Sequence, residues 1–135
     1  MKKLIVLAIV CLGMFAIPGQ ASAATTFSTT CAVSGSVSTG SISGTCTTPI
    51  GSVACTGTLV GSTVTGTCSG STLLGTATCT LNGTVNAVGS KWTGTGNVNC
   101  VLSNGQTVSC VGSGGGKVSS SGKFTGKLAG KCTLA

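Results

Sequence analysis

The 135-residue chain contains no aspartate, glutamate, histidine, arginine or tyrosine, and only one tryptophan and three phenylalanines. Each absence excludes something. General acid–base catalysis on histidine or a carboxylate has no residue to perform it, and none of the lysines sits in an apolar run that would lower its pKa to make it a nucleophile. A serine or cysteine nucleophile has no base beside it, so hydrolase-type triads are excluded. Oxygen-rich calcium or magnesium sites lack their carboxylates. The lysines are accompanied by no arginine and no interleaved aromatics, which argues against sequence-specific nucleic-acid recognition. The composition therefore points to a protein that is not an enzyme, with no cofactor and no small-molecule substrate.

Long apolar runs are also scarce. One exists, Leu4–Ile17, 14 residues preceded by Lys2 and Lys3, closed by Pro18 and followed by Ala21-Ser22-Ala23. Charged start, apolar run and small-residue cleavage site are the three parts of a secretory signal. The run is short for a membrane span, so an integral membrane protein is not expected. Residues 1–23 are read as a signal peptide and residues 24–135 as a single disulfide-rich all-β domain. Two of the seven lysines leave with the signal, and the domain keeps +5 with no opposing charge. The Lys-Lys start and the short tail point to a bacterial exporter.

Of the nine cysteines, Cys11 lies inside the signal. The other eight are Cys31, Cys46, Cys55, Cys68, Cys79, Cys100, Cys110 and Cys132. An even count in a small exported domain reads as a framework of four disulfides, formed in the periplasm, at the cell surface or outside the cell. Zinc would require closer pairs or histidine, and the tightest spacing is Cys46 to Cys55, so no metal site is expected.

Glycine, serine, threonine and valine dominate residues 24–135, a strand-and-turn composition. Cys55-Thr-Gly-Thr-Leu-Val60, Gly61-Ser62, Thr63-Val-Thr-Gly-Thr-Cys68 is nearly a palindrome about a two-residue loop. Glycine at the first loop position suits a tight hairpin, which sets Leu59 opposite Val64, Gly57 opposite Gly66 and Cys55 opposite Cys68. Counted outward from the loop, these are non-hydrogen-bonded pairs, the close ones that a disulfide can span. Gly89-Ser90 repeats the construction and sets Cys79 opposite Cys100. A three-residue loop, Ser120-Ser121-Gly122, sets Cys110 opposite Cys132. A turn at Ser38-Thr39 sets Cys31 opposite Cys46. The connections fold as well, through Pro49–Ser52, Leu73-Leu74 and Asn104-Gly105-Gln106. Those turns set Cys46, Cys68 and Cys100 opposite Cys55, Cys79 and Cys110, which places all the cysteines in one row.

The expected fold is an all-β, antiparallel up-and-down meander of about eight strands, at 28–37, 41–48, 53–60, 63–70, 75–88, 91–102, 107–118 and 124–134. The sheet is curled, barrel-like or sandwich-like. Closure requires shear, so the row returns displaced at the seam and Cys31 misses Cys132. The alternative is a β-solenoid, because Cys31, Cys55 and Cys79 are spaced by 24 residues.

Alternation assigns two faces. One carries the cysteines with Val33, Ile42, Val64, Leu81, Trp92, Leu102, Val108 and Phe124, interleaved with glycines. The other carries threonine, asparagine and all five remaining lysines: Lys91, Lys117, Lys123, Lys127 and Lys131. Unopposed positive charge attracts anionic polymers such as polysaccharide, nucleic acid or lipid headgroups. Lysine on a terminal strand also serves to deter edge-to-edge association. The threonine runs Thr63-Val-Thr65-Gly-Thr67 and Thr76-Ala-Thr78-Cys-Thr80, with Thr45-Cys46-Thr47 and Thr78-Cys79-Thr80, resemble the threonine arrays and TCT tripeptides of cysteine-rich β ice-binding proteins. The likeness is confined to these tripeptides, since the 12-residue repeat of that family is missing, and it implies ice binding as one reading. The first-ranked expectation is an exported structural or matrix-associated protein, its partners being further copies of itself or anionic surface polymers.

Overall fold

A computed structural model describes residues 25–135; the signal segment expected over 1–23 lies outside the described residues. Eight antiparallel strands run up and down and close into a barrel in sequence order. They are β1 (Thr25–Ser36), β2 (Ser41–Thr48), β3 (Gly51–Val60), β4 (Thr63–Thr72), β5 (Gly75–Val88), β6 (Lys91–Leu102), β7 (Thr107–Val118) and β8 (Lys123–Leu134). Consecutive antiparallel neighbours exclude the solenoid. The 24-residue spacing has another origin. Thr48-Pro-Ile-Gly51 and Thr72-Leu-Leu-Gly75 form the same turn 24 residues apart. In each, the threonine hydroxyl donates to the glycine carbonyl, at 2.8 Å from Thr48 and 2.7 Å from Thr72. It also accepts the amide of Ile50 or Leu74. The repeating unit is therefore a hairpin with its exit turn, not a coil.

Each hairpin holds one disulfide: Cys31–Cys46, Cys55–Cys68, Cys79–Cys100 and Cys110–Cys132, every pair with its Cα atoms 4.0 Å apart. The hairpin turns match their chemistry. Gly61 and Gly89, first in their loops, have φ of 62° and 65°, and Gly122 has φ 85°. Strand pairing alternates between wide and narrow positions. Cys68 also faces Cys79 across β4 and β5, but counted from the Leu73-Leu74 turn that is a wide, hydrogen-bonded position. The narrow partner of Cys68 is Cys55, and that pair is the one bonded.

The expected single row of cysteines is not what forms. Cys46 faces Val53 and Cys100 faces Val108, each two residues from the cysteine expected opposite it. At the seam, Cys132 faces Phe27 and Cys31 faces Leu128. The reason is shear. Partners traced round the barrel from Val33, through Gly44, Cys55, Cys68, Cys79, Cys100, Val108 and Leu134, return to Thr25, eight residues from the start. Eight strands with that offset tilt by roughly 36° to the axis. The offset is taken up in even steps, at β2–β3, β6–β7 and β8–β1, so every side chain keeps its face. Closure also explains why β1 begins at Thr25 and not at 28: its first residues pair with the end of β8.

The cysteine face is the barrel interior. It forms two layers. One contains the disulfides with Ala77, Leu102 and Val108, and Phe27 and Leu134 pack against it. The other contains Ile42, Val64, Trp92 and Phe124. The two rings meet edge to face, with centroids 5.8 Å apart, and the Trp92 indole N–H donates to the Thr125 carbonyl at 3.0 Å. Inward glycines make room for them. A Cβ on Gly126 would lie 2.5 Å from Trp92 Cζ2, and one on Gly35 2.6 Å from Phe124 Cζ. By contrast, a Cβ on the inward Gly96 would meet nothing nearer than 3.7 Å. Gly126→Ala should therefore cost about 1–3 kcal/mol through overpacking, while Gly96→Ala should be nearly neutral. Thermal denaturation of the two variants is the check, and equal melting temperatures would contradict this account of the ring layer.

Candidate functional site: a basic stripe on the barrel wall

The interior offers no site. Two apolar voids, of about 90 and 60 Å³, flank the disulfide layer. Ligand pockets run to roughly 300–1,000 Å³ and carry a few convergent polar groups. These voids are packing defects of a core made from sulfur, valine and glycine. Among the described residues all eight cysteines are in disulfides, and no cluster of acidic, histidine or cysteine side chains could hold a metal ion.

The charged side chains of the described residues, and most of the polar ones, are on the outer wall and at the ends. Outward positions on β3 to β6 are mostly hydroxyl and amide. Across these strands Thr56 faces Thr67, which faces Thr80, which faces Asn99; beside that row Thr58 faces Thr65. Several hydroxyls touch: Thr84 and Thr95 at 3.0 Å, Ser109 donating to Asn99 at 3.1 Å. A shallow groove of about 550 Å³ crosses this wall, lined by Ser62, Thr84, Asn86, Thr93, Thr95 and Ser113. It holds no nucleophile with a base and no charged group. The expected threonine face is thus present, but closure bends it. Neighbouring strands turn through about 45° in an eight-stranded barrel, so the rows wrap the wall and present no extended plane.

The lysines occupy the other side. All five are exposed and outward, on β6 (Lys91), β7 (Lys117) and β8 (Lys123, Lys127, Lys131). Lys123, Lys127 and Lys131 recur every fourth residue along β8, about 13 Å apart at the rise of an antiparallel strand. Lys117 lies opposite Thr125, between the first two of these, and also faces Lys91 directly across β6 and β7. Gly115, outward between Thr93 and Lys127, leaves a gap in the side-chain layer at the centre of the stripe. With no acidic side chain in the sequence, no lysine is neutralised by a carboxylate side chain. The structure brings together all five residues that alternation placed on this face.

Sequence reasoning missed Phe27 and Thr29. Phe27 packs on the disulfide layer at the seam. Thr29 is turned inward and buried, and its hydroxyl donates to the Thr47 carbonyl at 3.2 Å. The usable signal was parity: both share the odd positions of Cys31 and Val33. No helix among the described residues is long and apolar enough to cross a membrane. The outer wall is mostly hydroxyl, amide and lysine, with Val101 and Val111 exposed among them. Comparison with family models, with curated proteins and with solved structures finds no match to this chain.

The Lys91–Lys117 pair yields a direct test. Counted from the Gly89-Ser90 loop this is a narrow pair, and like charges placed there repel. Lys117→Glu should stabilise the fold by about 0.5 kcal/mol, with the gain shrinking in high salt. Urea denaturation at low and high ionic strength measures it. A destabilised variant would show that the two ammonium groups do not oppose each other.

Proposed function

We propose that this is an exported, non-catalytic structural or surface-associated protein that adheres to anionic cell-surface material through the lysine stripe. The observation that carries the reading is the one-sidedness of the charge: every lysine of residues 25–135 projects from three adjacent strands, and no acidic residue opposes them. Such a stripe has a uniformly positive field that reaches roughly 8 Å at physiological salt. The rest of the molecule is consistent with that role. Four disulfides fit an extracellular or secreted protein. A closed barrel has no free sheet edge, so the lysines are not required to block strand addition. Solubility is served by lysines anywhere on the wall, so it is their clustering on one side that supports contact with something anionic.

Contact of this kind is non-specific and salt-dependent, because it rests on charge without shape. Replacing Lys117, Lys123, Lys127 and Lys131 with glutamine should abolish retention on a soluble anionic polymer, dextran sulfate, and leave the circular dichroism unchanged. Retention of the parent protein should fall steeply between 50 and 300 mM salt. Binding that ignored salt and survived the four substitutions would defeat the reading.

A further inference from the structure

We infer that the hairpin-loop end of the barrel docks on a bilayer containing anionic lipid. The inference rests on the reading of the lysines as a contact for anionic cell-surface material, and it names that material as lipid. The four hairpin loops at this end are joined into one rim by backbone hydrogen bonds. The Val37 amide donates to the Gly122 carbonyl, Leu59 to Gly40, Val85 to Ser62 and Val118 to Ser90, at 2.7–2.8 Å. Three large apolar side chains stand on this rim, unburied: Val37 at 52%, Val60 and Val88 both at 74% exposed. They come from three successive hairpins. The remaining arc carries Lys91, Lys117 and Lys123, all exposed, and Val88 and Lys91 face each other where the two arcs meet. Serine, threonine and glycine fill the loops between.

The combination selects the partner. A soluble polyanion satisfies lysines but gives exposed valines nothing. A bilayer interface takes both, with apolar tips 5–10 Å into the headgroup boundary and lysines against acidic headgroups. Each lysine near such a surface strengthens binding about fivefold. The disulfides tie the strands of each hairpin together, so the tips are held without further ordering on contact. The other end has an exposed apolar side chain too, Leu73 at 83%, but its turns, at Pro49-Ile50, Leu73-Leu74 and Ser103–Gln106, contain no lysine, so only the hairpin-loop end combines the two.

The test is sedimentation of the disulfide-bonded domain with vesicles of phosphatidylcholine alone and with 30% phosphatidylglycerol, beside retention on dextran sulfate. The domain should bind the anionic vesicles and not the neutral ones. The triple variant Val37→Ser, Val60→Ser, Val88→Ser should bind anionic vesicles roughly tenfold more weakly and dextran sulfate as before, with circular dichroism unchanged from the parent to show that it is folded. In Val88→Trp, the added indole should shift its emission to the blue on vesicles and be quenched by brominated acyl chains. Unchanged vesicle binding by the serine variant, or an added indole that brominated chains fail to quench, would overturn the docking rim and leave the polymer reading standing. Retention on dextran sulfate without vesicle binding would do the same. Failure to bind either would remove both.

Discussion

The interior of an eight-stranded barrel is narrow, and everything else in this molecule follows from filling it. Such a barrel is just wide enough for side chains to meet across the axis. Here the bulk comes from four disulfides in one layer and from Trp92 and Phe124 in the other. Large residues at every inward position would not fit, so glycines stand where the rings lie. The sulfurs therefore have two roles. They tie each hairpin covalently, constraining the unfolded chain by roughly 3 kcal/mol per bridge in chain-entropy terms, and they occupy the core that a chain with few aromatics cannot otherwise fill.

The outer wall is free of those demands, and its chemistry divides by strand. Threonine on β3 to β6 gives a β-favouring, hydrated surface without charge. Lysine on β6 to β8 concentrates the positive side chains of the described residues on one side. In an open sheet, lysines on the last strand would be a device against association. Closure removes that purpose, because β8 pairs with β1 along its length. The same five side chains then stand as an exposed cationic surface, continuous with a rim whose other arc carries three exposed valines.

Much of this was legible in the sequence. The mirror symmetry about Gly61-Ser62 and Gly89-Ser90 fixed register within hairpins, and with it the disulfides. Parity then assigned every lysine outward and every cysteine inward. Registers between hairpins were less legible. Cys46 and Cys100 slip by two residues against the next strand, because shear is a property of the closed barrel and not of any local turn. The repeated Thr-x-x-Gly turns were visible at Thr48 and Thr72, yet the regular cysteine spacing they accompany also suggested a coil. The basic rim could not be read at all, since it depends on four loops distant in sequence meeting at one end.

Closure of β1 on β8 is the claim on which interior, wall and rim all depend. Nuclear Overhauser effects on the disulfide-bonded domain test it directly. In the observed register Ala32 faces Lys127 and Thr30 faces Ala129, both at narrow positions where opposing α-protons nearly touch. A closed barrel should give strong α–α contacts for both pairs, with β1 and β8 amides protected from exchange. Absence of those contacts, with rapid exchange along the outer edges of β1 and β8, would mean an open sheet and would contradict the account.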